Sequence, residues 1–152
     1  MNRVIIQPLL EADLPRCAAF MAAQDPWKAL GIGVDRCMSG IRGAHLDRYG
    51  LYLDDKIVGL AVVHPTGFVS SPYLAVLAVA AAHTGRGFGS RLLEHVEQEA
   101  FRDRRNLFLC VTSFNERAQR FYRARGYQQI GVIQDFFKPG VDELIMRKVR
   151  PE

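Results

Sequence analysis

At 152 residues with 49% hydrophobic content, the chain has the size of one domain, residues 1–152, and enough apolar side chains for a packed core. The net charge of +4 is uneven: Arg102, Arg104, Arg105, Arg117, Arg120, Arg123 and Arg125 crowd one segment, which favours a polyanion, either a nucleic acid or a phosphorylated cofactor. No aromatic residues interleave with these arginines in a nucleic-acid-binding signature, so no nucleic-acid partner is expected.

The opening MNRVIIQPLL has no charged, apolar and small-residue order of a secretory signal, and the longest apolar run, Leu74 to Ala82, is too short to cross a bilayer. A cytoplasmic protein without a membrane partner is expected. Cys17, Cys37 and Cys110 are odd in number and far apart, and His45, His64, His83 and His95 have no ligand-like spacing, so neither a disulfide framework nor a metal is expected. RVIIQPL reads as a first strand, followed by a helix over EADLPRCAAFMAAQ, with Pro15 tolerable in its first turn. DPWKALGIGVD interrupts. A second helix is predicted over about 36 to 47, then a hairpin over GLYLDDKIVGLAVVHP, with Asp54, Asp55 and Lys56 in the turn. PYLAVLAVA is a buried strand, and Leu92, Leu93, Val96 and Ala100 repeat at helical spacing. NLFLCVTS is another strand, Asn115 caps a helix that ends at Gly126, and YQQIGVI and DELIMRKV close the sheet. Strands and helices alternate throughout, as in one α/β unit.

The stretch GRGFG stands between a buried strand and an amphipathic helix. That placement aims backbone N–H groups and the positive end of a helix dipole at one point, where phosphate is the natural guest. No Lys-Ser/Thr follows, as a triphosphate-binding loop requires, and Ser90 stands where a dinucleotide fingerprint has its third glycine.

Two motifs resemble the GNAT superfamily of acyl-CoA-dependent N-acyltransferases, a likeness that covers most of the chain. LAVAAAHTGRGFGSRLLEHV is similar to the family's strand, pyrophosphate loop and helix, with Thr84 where the family prefers Gln or Arg. NERAQRFYRARGY is similar to its later Asn-x-x-Ala-x-x-Phe-Tyr segment. The resemblance implies a mixed, mostly antiparallel sheet of about six to seven strands flanked by about four helices. It also implies transfer of an acetyl group from acetyl-CoA to a primary amine by direct attack, without a covalent enzyme intermediate.

Carried to single residues, the resemblance places Leu77, Ala78 and Val79 along the pantetheine arm, with an N–H directed at the thioester carbonyl. Gly85, Arg86, Gly87, Phe88, Gly89 and Ser90 would cradle the pyrophosphate, and Asn115 would bond the pantetheine region. Tyr122 would protonate or stabilise the leaving thiolate; by spacing alone it belongs, with Ala118 and Phe121, to an apolar helix face. Many members place a Glu base in one of the two central strands, but PYLAVLAVA and NLFLCVTS hold no acid. Cys110 stands where the ribosomal-protein alanine acetyltransferases carry Glu. A water chain, Asp25, Tyr73, Asp135 and Glu143 remain open as the base.

Substrate choice in the family lies in the segments that read AAQDPWKALGIG and IQDFFKPGVDE here. Trp27 is either a substrate wall beside Asp25 or the packing of a corner. Phe136 and Phe137 are a substrate wall, a homodimer contact or hairpin packing. The acceptor is expected to be a small-molecule or peptide amine. A domain that senses acyl-CoA without catalysis would keep the glycine loop, but retention of Tyr122 argues against it.

Overall fold

The computed structural model describes residues 2–152. One sheet of seven strands runs through it: β1 (Val4–Pro8), β2 (Asp47–Leu53), β3 (Lys56–Phe68), β4 (Ser71–Val79), β5 (Asn106–Thr112), β6 (Gln128–Lys138) and β7 (Val141–Val149). Their spatial order is β1-β2-β3-β4-β5-β7-β6. Every neighbouring pair is antiparallel except β4 and β5, which are parallel. Four helices flank the sheet, α1 (Leu14–Ala22), α2 (Val34–Ile41), α3 (Phe88–Ala100) and α4 (Glu116–Arg123). The expected mixed, mostly antiparallel architecture is therefore present.

The sheet has a core on each face, and the strands build both by alternation. On one face α3 and α4 supply Phe88, Leu92, Leu93, Val96 and Tyr122, which meet Ala61 and Val63 of β3 and Leu109 of β5. On the other, Leu14, Ala18 and Met21 of α1 and Cys37 and Ile41 of α2 meet Leu60 and Val62 of β3. Cys17 and Cys37 are buried, as free thiols usually are. Desolvation drives the Cys17 thiol up to about 12, so it stays protonated and inert.

β4 departs from this regularity at one residue. Its register with β3 runs from Val79 opposite Gly59 to Val76 opposite Val62, then resumes with Leu74 opposite Val63, leaving Ala75 without a partner. This is a β-bulge, which bends its strand and switches the faces of the residues on either side. Leu74 accordingly joins the core under α3, while Val76 and Ala78 join the core under α1. β4 also leaves β5 here: the two pair only at Tyr73 with Phe108 and Leu74 with Leu109. Beyond these positions the sheet is split.

The helix expected over about 36 to 47 lies over Val34–Ile41 instead. Arg42 turns extended, with ψ of 147°, and Gly43 takes φ of +138°, open only to glycine, so the chain leaves the helix and enters β2 at Asp47. Lys56 begins β3, so the β2–β3 turn is Asp54 and Asp55 alone, both with positive φ. At the other end of the fold, Tyr127 donates to Glu97 Oε2 at 2.7 Å and Lys148 pairs with Glu97 Oε1 at 2.9 Å, tying α3 to the segment after α4 and to β7.

Leu92 has no solvent exposure and centres the core that holds α3 on the sheet. Leu92→Ala is expected to lower stability by ~2–5 kcal/mol, the range for removing a fully buried leucine side chain. Urea unfolding followed by circular dichroism measures it, with the midpoint falling and the slope unchanged.

Candidate active site

The split between β4 and β5 opens a groove made of three adjoining cavities. The outermost, about 330 Å³, lies over the glycine loop and is lined by Gly85, Gly87, Gly89 and Ser90. Gly85 and Gly87 have φ of +77° and +81°, and a Cβ built on either meets nothing within 4 Å. Glycine is required there by backbone conformation and leaves open space above it. Gly87 is the N-cap of α3, so the unpaired N–H groups of the helix's first turn sit at this cavity. The arrangement fits a diphosphate: backbone donors, a helix N-terminus and no acidic side chain among the lining residues.

Of the crowded arginines, Arg117 and Arg125 line this cavity. Arg125 is held by the Phe121 carbonyl at 2.9 Å, by Ser90 Oγ, and by stacking 3.8 Å above the Phe121 ring. Others turn elsewhere, Arg102 to Glu99, Arg104 to the Ser70 carbonyl and Arg123 to Gln129. Arg86 also turns away: its guanidinium lies 5.0 Å from the Phe88 ring centroid and 3.2 Å from His83 Nδ1, and it does not line the cavity. Phe88 buries its ring in the core, leaving only its backbone for a ligand. His83, without a role in the sequence reading, is at the cavity wall.

The middle cavity, about 240 Å³, shares Val79, Thr84, Gly89, Arg117 and Phe121 with the first. Leu77, Ala78 and Val79 form its β4 side, where the strand has no β5 partner. The Val79 carbonyl accepts from Gln24 Nε2 at 3.0 Å, which leaves the edge at Leu77 and Ala78 open. Asn115 faces the groove and caps α4, its Oδ1 accepting from the Ala118 N–H at 3.2 Å. Its capping and cavity positions coexist.

The inner cavity, about 350 Å³, continues from the middle one through Pro26, Trp27, Leu77, Asn115, Ala118 and Tyr122. Tyr122 packs its ring edge-on against Phe121 and Tyr127, with centroids 5.1 and 5.5 Å away. Its hydroxyl makes no hydrogen bond among the described residues, yet none of their side-chain nitrogens or oxygens is both buried and unpaired. The hydroxyl therefore opens onto the cavity that Tyr122 lines. Burial pushes the phenol well above its usual range, so it remains a neutral donor.

Glu143 is the acid that the two central strands lack. It lies on β7 opposite Thr112 of β5, only 8% exposed, and its Oε1 accepts from Thr112 Oγ1 at 2.6 Å. Desolvation raises its carboxyl above the usual carboxylate range, against the opposing effect of the Thr112 bond. Tyr73 and Cys110 line the same cavity, and desolvation raises both. Of the other open candidates for a base, Asp25 lines the middle cavity, and Asp135 is exposed on β6, where its Oδ1 accepts from the Gly140 N–H at 2.8 Å. No group of three or more His, Cys, Asp or Glu among the described residues could hold a metal ion, and no helix among them is long and apolar enough to cross a membrane.

Known proteins resemble this chain in fold and in sequence. A GNAT-family protein from Desulfovibrio desulfuricans has the same fold, with a TM-score of 0.79 over 98% of this chain and 100% of its own, at 22% identity. In sequence, the N-alpha-acetyltransferase RimI of Mycobacterium tuberculosis is 28% identical over 95% of this chain and 92% of its own length. An uncharacterised protein of Mycobacterium leprae is 29% identical over 95% of this chain, which spans 40% of that longer relative. The model of the acetyltransferase (GNAT) family matches residues 13–127, a span that holds the glycine loop, Asn115 and Tyr122, and this chain belongs to that family.

Proposed function

We propose that residues 1–152 act as one cytoplasmic catalytic domain, an N-acetyltransferase that moves the acetyl group of acetyl-CoA to a primary amine of a small molecule or peptide. One observation carries the reading: a continuous groove joins a glycine-lined anion cradle at one end to a buried carboxylate at the other, with the Tyr122 hydroxyl between them. Acetyl-CoA supplies the activated thioester. A domain that only sensed acyl-CoA would need the cradle but not a cavity beyond the tyrosine.

Each residue has a part along the groove. The N–H groups after Gly87, with Arg117 and Arg125, hold the diphosphate. The open β4 edge at Leu77 and Ala78 pairs with the amide-bearing arm, and an N–H there stabilises the oxygen of the attacked carbonyl. Glu143, as carboxylate, accepts the proton that the ammonium must lose before its nitrogen can attack; an alkylamine near pKa ~10 is almost wholly charged at neutral pH. The raised carboxyl makes Glu143 a stronger base than an exposed glutamate. Nitrogen forms its bond to the acetyl carbon, the carbon–sulfur bond breaks, the second proton shed by that nitrogen ends on the departing sulfur to give the free thiol, and Tyr122 donates a hydrogen bond to that sulfur as it leaves. Its raised pKa makes full proton transfer uphill, so charge stabilisation is its larger contribution. Burial likewise keeps Cys110 a thiol, consistent with direct attack rather than an acyl-enzyme.

Three measurements test this assignment. Gly87→Glu places bulk and negative charge at a positive-φ position in the cradle, and calorimetry on the folded variant should show acetyl-CoA binding lost; unchanged affinity removes the loop from the site.

Tyr122→Phe keeps the ring in the core and deletes only the hydroxyl, so binding should hold while turnover falls by a factor on the order of 10² to 10⁴. Equal turnover at every pH, with chemistry limiting the rate, would return Tyr122 to a packing role.

Glu143→Gln should lower turnover by a similar factor and abolish the limb of kcat/KM that rises as pH passes through the raised carboxyl pKa. Stability reports the same group with the opposite sense. Folded Glu143 binds its proton more tightly than unfolded Glu143, so the parent loses stability as pH rises from the unfolded value through the folded one. Glu143→Gln lacks that loss, and its urea midpoint should exceed the parent's near pH 8, with the gap narrowing toward pH 4.

A further inference from the structure

The inner cavity is chemically lopsided. Among the described residues, Glu143 is the one acidic side chain that lines it, and no Lys, Arg or His does. One carboxylate balances one ammonium. A second ammonium on the acceptor would enter the cavity without a counter-charge, and a carboxylate on the acceptor would face Glu143 with no cation to meet it; each is penalised to the extent that binding strips its water.

The walls point the same way. Ile133, Phe136 and Phe137 lie on β6 at the cavity and are 37%, 54% and 41% exposed. The two rings pack on each other, with centroids 4.8 Å apart, instead of entering either core. Trp27 and Phe68 add aromatic surface on the other side. Apolar area held in water at a cavity mouth is covered favourably by an apolar ligand, at about 25 cal/mol per Å².

We propose that the acceptor is a primary amine whose ammonium is its only charge, carried on an apolar or aromatic body. This rests on the N-acetyltransferase reading above. Two sources present that chemistry, a free arylalkylamine and a polypeptide N-terminus beginning with an apolar residue. Polyamines, aminoglycoside-like polycations and free amino acids fall outside it. Glu143 takes the one proton, while the β6 aromatic pair and Trp27 enclose the body.

Matched amines test the rule by thiol release from acetyl-CoA. 2-Phenylethylamine and phenylalanine differ by one carboxylate, and butylamine and 1,4-diaminobutane by one ammonium. In each pair the monocation should have the higher kcat/KM, by a factor on the order of 10². A short amidated peptide beginning with leucine separates the two sources: faster turnover than 2-phenylethylamine assigns a polypeptide, slower turnover a free amine, and both support the charge rule. Phe137→Ala should raise KM for 2-phenylethylamine about tenfold and raise KM for methylamine by much less. Ile133→Asp, at an exposed position, should shift preference toward 1,4-diaminobutane by supplying the second carboxylate. Turnover of phenylalanine or 1,4-diaminobutane as fast as its monocationic partner overturns the proposal and leaves acyl transfer standing. Tight binding of acetyl-CoA without thiol release for any amine overturns the N-acetyltransferase reading and the acceptor class with it.

Discussion

The unpaired residue Ala75 is the constraint on which the groove depends. Seven strands with regular pairing would make a continuous sheet and leave no way through it. The bulge bends β4 away from β5 just after Leu74 pairs with Leu109 and turns Leu77 and Val79 toward the α3 and α4 side. It also exposes a row of backbone groups inside the molecule. Buried backbone donors and acceptors left without partners cost on the order of 1–3 kcal/mol each. Gln24 satisfies one, the Val79 carbonyl, and a ligand with amide groups along an extended arm can satisfy others. The defect in the sheet thus selects the kind of molecule that enters it.

The same split explains why one helix residue reaches the chemistry. α4 lies over the gap, so Tyr122 belongs to the core by its ring and to the groove by its hydroxyl. Three groups around the inner cavity, buried Tyr122 and half-buried Tyr73 and Cys110, are pushed by desolvation toward their neutral forms, and the Glu143 carboxyl is raised as well. The outcome is a division of labour: the carboxyl is the group of the four that gives up its proton most readily, and the rest stay hydrogen-bonding surfaces around it.

What could be read in the sequence was local. The glycine loop and the Asn115 to Tyr127 segment each lie within one strand-to-helix connection or one helix, so their spacing survives in one dimension, and the structure brings both to one groove. Glu143 was visible only as one of several open candidates, because its place opposite Thr112 comes from β5 pairing with β7, elements 31 residues apart at that bond. A search confined to the two central strands misses an acid contributed by the neighbouring one. The direction of the Arg86 side chain is likewise beyond the sequence: its backbone is in the loop, while its guanidinium lies over the Phe88 ring and beside His83. The bulge itself leaves no mark in the run LAVLAVA, whose residues suit either face.

The irregularity of β6 has a consequence beyond the cavity. β6 is the last strand of the sheet, and its pairing with β7 breaks between Ile133 and Lys138, with Asp135 at φ of +50°. An edge strand with flat, regular backbone and apolar side chains is a template on which another chain can add a strand, the first step toward aggregation. Here the stretch that holds Phe136 and Phe137 at the cavity mouth also interrupts that template, and Asp135 and Lys138 place charges within it. A loop-like kink in the final hairpin lets the protein carry exposed aromatic residues without offering them as a seed for intermolecular sheet growth.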